Sequence, residues 1–160
     1  AGFDFEQQVV DFDAVERLRG YREALAQGLP RARPIVVQGD FGEASGHAAG
    51  RELLAAKVRP DAVFAANDMM ALGCLFAFSQ AGVRVPQDIA LAGFDDIPLA
   101  HLVVPALTTV RVNIADLGGR AARVLLALGN DRDRKPTHTL LTPELIVRES
   151  SLRATRRKAG

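Results

Sequence analysis

The chain has 160 residues, 48% apolar and 24% charged, the composition of one packed globular domain. Twenty basic side chains stand against nineteen acidic ones, a formal net charge of +1, which is not the basic excess that a domain gripping nucleic-acid phosphates carries. A single cysteine, Cys74, excludes an internal disulfide, and neither a CxxC pair nor a Cys/His cluster offers a metal site, so no metal and no cofactor is expected.

No apolar run is long enough to span a membrane, and the opening Ala1-Gly2-Phe3 reads as the end of a strand rather than as a signal peptide, so further chain is expected upstream. Asp13 followed by Glu16 makes a capping-box pattern, and Ala14, Leu18, Tyr21 and Leu25 recur at helical spacing until Gly28 and Pro30, which predicts a helix over 13–27. Pro34-Ile-Val-Val-Gln38 is a β-branched run bounded by Pro and Gly and predicts a strand. A helix after Ser45 carries Ala49, Leu53 and Ala56 on one face and stops before Pro60.

The unit then repeats. Ala62 to Ala66 predicts a strand, Asn67 or Asp68 caps the next helix, Gly82 supplies its left-handed end, and Ile89 to Gly93 predicts a third strand. Apolar strands alternating with helices mean a parallel sheet flanked by helices, the α/β class built from βαβ crossovers. Asn113 caps a last amphipathic helix with Ile114, Leu117, Ala121, Leu125 and Leu128 on one stripe, closed by Gly129. A charged loop over 129–136 and two short strands near 138–141 and 144–149 follow. Arg153, Arg156, Arg157 and Lys158 end the chain in a basic stretch without apolar periodicity, read as a solvated tail.

In such a sheet, ligands sit beyond the carboxyl ends of the strands. Asn67-Asp68 and Asp95-Asp96 lie there, so amide and carboxylate groups are expected to gather on one edge. Asp68 can equally be a helix cap, whereas a turn alone does not require two adjacent carboxylates after Gly93-Phe94. Catalytic arrangements are missing from the pattern: His47, His101 and His138 are scattered, no GxSxG elbow or phosphate loop occurs, and Cys74 sits mid-helix on a packed face. Asp95 and Asp96 as a hydrolase pair is the enzymatic alternative, and the chain is not expected to be an enzyme.

Four motifs then stand in order: Phe64-Ala-Ala-Asn-Asp-Met-Met-Ala-Leu-Gly73, Gly82-Val-Arg-Val-Pro86 with Asp88, Gly93-Phe-Asp-Asp96, and Pro105-Ala-Leu-Thr-Thr-Val110. With Arg17-Leu-Arg-Gly-Tyr-Arg22, Gly39-Asp-Phe41 and the closing Arg148-Glu-Ser150, they resemble the C-terminal half of the effector-binding domain of LacI/GalR-type bacterial transcription regulators over nearly the whole chain.

The resemblance implies a type I periplasmic-binding-protein-like fold of two α/β subdomains, present only in part. Residues 1–112 would belong to the C-terminal subdomain, 113–136 to a crossover helix of the N-terminal one, 137–152 to strands returning to the first, and 153–160 to the tail. It also implies ligand contacts at Arg17, Phe41, Asn67 and Asp95. Their chemistry suits a sugar or related metabolite, since Arg donates through a planar fork, Asp accepts two hydroxyls, Asn does both and Phe stacks on a ring. Val112 departs from the polar residue common at its position in sugar-responsive members. Leu72 and Val103 would lie in a homodimer interface. Operator DNA would be read only through a headpiece outside these residues, in the cytoplasm. A periplasmic sugar-binding protein of the same fold is the closest alternative.

Overall fold

A sheet in which spatial order follows chain order, β1-β2-β3-β4, organises the molecule. The computed structural model describes residues 12–130 and 138–152. In chain order these form α1 (Phe12–Gly28), α2 (Glu43–Ala55), β1 (Ala62–Phe64), α3 (Asp68–Gln80), β2 (Ala90–Asp95), a 3-10 turn (Pro98–His101), β3 (Thr108–Arg111), α4 (Ile114–Asn130), β4 (Glu144–Ile146) and a second 3-10 turn (Glu149–Ser151). β1, β2 and β3 are parallel, with Val63 opposite Leu91 and Gly93 opposite Thr109, and β4 is antiparallel to β3 with Val110 opposite Leu145. The expected α/β class with a parallel sheet flanked by helices is therefore present. The basic tail at 153–160 and most of the charged loop, 131–136, lie outside the described residues.

The core forms where α3 crosses the sheet: Met70, Ala71, Cys74 and Phe78 of the helix bury against Ile89, Leu91, Ala100 and Leu107. Phe78, Ile89, Leu91 and Leu107 are each 1% exposed or less, a burial worth roughly 1.5–3 kcal/mol per side chain. α2 packs on α3 through residues without bulk. A Cβ at Gly46 would fall on the Met70 carbonyl, and one at Gly73 on the Glu43 carbonyl and the His47 amide. The Cys74 thiol donates to the Gly46 carbonyl at 3.2 Å, and burial pushes its pKa up to about 11, so it is a packed thiol rather than a nucleophile.

Both ends of α3 follow their signals. Asn67 is the N-cap, its Oδ1 accepting from the Met70 N–H at 2.9 Å, and Gly82 has φ +67° while the Val83 N–H closes back on the Phe78 carbonyl. Asn113 caps α4 in the same way, through the Asp116 N–H. At the other end of the sheet the Ser150 hydroxyl donates to Leu91 O at 2.6 Å and accepts from Thr108 N at 2.8 Å, stapling the closing segment across β2 and β3.

Several expectations are corrected. Residues 32–40, which include the predicted strand 34–38, carry no regular structure. A strand needs a neighbour for its N–H and C=O groups, and none of the described strands lies beside this segment. The predicted strand over 138–141 is likewise irregular, and the one over 144–149 shortens to three residues. Helix α4 runs through Gly129 to Asn130 instead of closing at the glycine, and β2 continues to Asp95, two residues past its predicted end. In α1, Glu16 of the capping-box pattern pairs with Arg19 at 2.6 Å, and the Asp13 side chain lies outside those described.

Candidate functional site

Four separate segments converge at the carboxyl edge of the sheet. Arg17 reaches in from α1, Phe41 from the turn before α2, Asn67 from the start of α3, and Asp95 from the end of β2. The Arg17 Nη1 donates to the Ala66 carbonyl at 2.8 Å, just beyond β1. Its guanidinium lies 4.1 Å from the centre of the Phe94 ring and 5.9 Å from that of Phe41, both within cation–π range. Phe41 holds φ +65°, a strained value for a bulky residue. The turn around it is knit by the Gly42 N–H to Asp40 Oδ1 at 2.8 Å and by Ser45 Oγ, which accepts from Asp40 N and donates to Gly42 O.

Asn67 has a structural task on both sides of its amide. Its Oδ1 caps α3, while its Nδ2 donates to the Phe41 carbonyl at 2.9 Å, fastening the Phe41 turn to the helix. This ranks it behind Asp95 as a group available to a ligand. Asp68, which the sequence left open as a cap, is not the cap. It is wholly buried one residue further on, with Oδ1 accepting from Thr109 Oγ1 at 2.6 Å and Oδ2 from the Ile97 N–H at 3.0 Å. Burial raises its pKa, and those two hydrogen bonds only partly offset the rise. Gly93 makes the approach possible, because a Cβ there would strike the Asp68 carboxylate.

The two adjacent aspartates do different things. The Asp96 carboxylate accepts from Arg148 Nη2 and from Arg111 Nε, both at 2.6 Å, with the Asp96 and Arg148 side chains 8% and 15% exposed. Burial disfavours its charge, but the two arginines outweigh that and hold its pKa below the ordinary value. Asp95 has φ +108°, is half-buried, and among the described residues its carboxylate accepts no hydrogen bond. Burial pushes its pKa up, Arg17 pulls it back and the charge of Asp68 pushes it up again. A half-desolvated acceptor next to a fixed guanidinium and two aromatic rings has the composition of a site for a neutral, hydroxyl-bearing ring.

The structure thus brings Arg17, Phe41, Asn67 and Asp95 together. Sequence reading missed Phe94, which seats the Arg17 guanidinium, and Thr109, which bridges Asp68 and the Asp96 amide. A threonine pair in a strand that is otherwise apolar, Leu107-Thr-Thr-Val110, was the available signal, since buried hydroxyls need partners. Leu72 and Val103 lie elsewhere. Both are half-buried, and Val103 packs against the core. Around them Met69, Phe76, Leu99, Leu102 and Val104 are exposed, Val104 at 92%. Val112 is half-buried beside Asn113, Asp116 and the 140–143 segment. No described helix is long and apolar enough to cross a membrane.

Residues 3–151 match the model of the periplasmic binding protein-like domain. The HTH-type transcriptional regulator CelR of Thermobifida fusca is 42% identical over 137 residues, 85% of this chain and 40% of that protein. A structure of a CelR–cellobiose complex aligns with TM-score 0.78 over 86% of this chain and 42% of that one. The HTH-type transcriptional repressor PurR of Photobacterium profundum is 38% identical over 136 residues, 84% of this chain and 41% of that protein. The lac repressor dimer bound to operator and the anti-inducer ONPF aligns with TM-score 0.80 at 32% identity, over 88% of this chain and 49% of that one. The chain therefore spans about two-fifths of the length of these curated relatives.

Proposed function

Because this chain belongs to the periplasmic-binding-protein-like family, as part of the effector-binding domain of a LacI/GalR-type transcription regulator, we propose that it is the half of a sensing module that binds a sugar or similar metabolite between two subdomains. The observation that carries the reading is Asp95, an acceptor that takes no hydrogen bond from the described residues and is placed beside Arg17 at the strand ends, with Phe41 near the same guanidinium. The cellobiose named with the CelR neighbour supports a sugar as the ligand class.

In this reading residues 1–112 and 137–152 make the C-terminal subdomain, and the helix over 113–136 packs in the N-terminal one. Closure of the two subdomains on the ligand then changes how a cytoplasmic dimer presents its headpieces to operator DNA. The reading's interface is the face holding Leu72 and Val103 with their exposed apolar neighbours, since a patch of that kind calls for a covering partner. Linkage requires the effector and the operator to alter each other's affinity by the same factor.

The test is calorimetric titration of the complete regulator and its Asp95→Asn variant with cellobiose, ribose and a set of other sugars and nucleosides. The variant keeps size but loses a charge-assisted hydrogen bond of roughly 1.5–3 kcal/mol, so affinity for whichever ligand binds should fall about tenfold or more. The melting temperature without ligand should stay as it was. Equal affinity in the two proteins would remove Asp95 from the site.

A further inference from the structure

The turn that carries Asp95 has a backbone its own residues resist. Asp95 and Asp96 stand at φ +108° and +55°, the side of backbone space that glycine enters freely and other residues enter under strain. Such geometry persists where the surroundings over-determine it, and here they do. The Asp96 N–H donates to Thr109 Oγ1 at 3.3 Å and the Ile97 N–H to Asp68 Oδ2 at 3.0 Å, while the Asp96 carboxylate takes the two arginine bonds. The anchors come from β3 (Thr109, Arg111), the start of α3 (Asp68) and the segment after β4 (Arg148). None of these bonds is made by the Asp95 carboxylate; beyond the β2–β3 ladder, which Asp95 joins opposite Arg111, the turn is fixed by its neighbours.

We propose that Asp96, clamped between Arg148 and Arg111, is a positioning residue that holds the left-handed turn and thereby aims the Asp95 carboxylate into the site beside Arg17. The direction of a Cβ follows its own backbone angles, so a relaxed φ at Asp95 would swing the carboxylate out of the site. The clamp also reaches the path of the chain. Arg111 ends β3, where the chain departs for α4, and its Nη1 lies 3.6 Å from Glu144 Oε2, where the chain returns in β4. Any shift of the departing or returning segment thus reaches Arg111, the register partner of Asp95.

The inference rests on the reading of Asp95 as the ligand-facing group, yet its test needs no ligand, so the two can fail separately. Carbon-detected NMR titration of the side-chain carboxyls in the full chain reads the position of Asp95 directly. The charged groups facing it are Arg17 from α1 and Asp68 from α3, and its burial holds it above the ordinary value. Arg148→Gln removes a nearby positive charge, which by itself would push the Asp95 pKa further up. Release of the turn does the opposite, because the carboxylate leaves its half-buried position. We expect the Asp95 midpoint to fall towards the ordinary carboxylate value, the Asp68 midpoint to stay raised as evidence of an intact fold, and Arg148→Lys to restore much of the parent behaviour. An unchanged or raised Asp95 midpoint in folded Arg148→Gln protein overturns the proposal. If that variant does not fold, Arg111→Gln, at a half-exposed side chain, gives the same reading by a smaller fall, and its absence overturns the proposal equally.

Discussion

Helices α3 and α4 begin alike, each capped by an asparagine side chain that accepts from the N–H three residues on, and each is rich in apolar residues. Their surroundings are opposite. α3 is enclosed by α2 on one side and β2 on the other, with Ala71, Cys74, Ala77 and Phe78 at 3% exposure or less. α4 is the more sharply two-faced of the pair, yet Ile114, Leu117, Leu125 and Leu126 are exposed and no other described element lies broadly against it. Amphipathicity states what a helix requires; neighbours decide whether it gets it. The buried face of α3 is satisfied within the block of α2, α3 and the sheet, whereas the apolar stripe of α4 has no such neighbour among the described elements.

Identical substitutions should therefore have opposite signs in the two helices. Gly73→Ala in α3 would drive a methyl into the Glu43 carbonyl and the His47 amide, backbone atoms that cannot rotate away. Separating α2 from α3 should cost roughly 3 kcal/mol, beyond the usual helix gain of alanine over glycine. Gly118→Ala in α4 meets nothing within 4 Å and should stabilise by roughly 0.5–1 kcal/mol. Urea melts of both variants measure the difference, and a Gly73→Ala protein as stable as the parent would mean the helices are not in close contact.

The enclosed block also holds two carboxylates shifted in opposite directions, which splits its pH dependence. Asp96 is held below its ordinary value of 3.8 by Arg148 and Arg111 against the cost of burial. Its contribution is present above that value and is lost as pH falls through the lower folded-state value. Asp68 is raised by burial, so it favours the fold at low pH and the benefit disappears as pH rises from 3.8 through its higher folded-state value. Asp96→Asn should cost about 2 kcal/mol at neutral pH, by leaving two arginines short of a partner, and should flatten the acid limb. Asp68→Asn should remove the opposing slope above it. Stability measured from about pH 3 to 7 separates the two; matching slopes in the two variants would mean that the directions of the shifts are misassigned.

What could be read from sequence divides along the same line. The cap at Asn67, the left-handed Gly82 and the apolar strands are local signals, and they placed β1, α3 and β2 to within two residues or so. Pro34–Gln38 carried an equally good strand signal but is irregular, because a ladder partner is not a property of the segment. At the site, periodicity alone pointed only to carboxylates at strand ends. Arg17 and Phe41 were singled out through the family resemblance, since nothing local distinguishes a helix arginine or a turn phenylalanine. The division of labour between Asp95 and Asp96 depends on Arg111 and Arg148, the latter 52 residues away in sequence, which no local pattern links to the pair.

The smallest expected effect lies on α4. Leu125 belongs to its apolar stripe and is 69% exposed, so Leu125→Asp in this chain removes little packing and leaves the new carboxylate in water. Stability should change by no more than about 0.5 kcal/mol, as for other surface substitutions. If α4 is covered by the other subdomain in the complete regulator, as proposed, the same aspartate would enter an apolar interface without a partner. The cost there should be several kcal/mol, on the order of a buried unpaired charge, and melts of the two proteins side by side would show it. A small effect in both would leave α4 a solvent-facing helix and take residues 113–136 out of the second subdomain. A large effect in this chain alone would mean that α4 is already packed, and the contrast with α3 would fall.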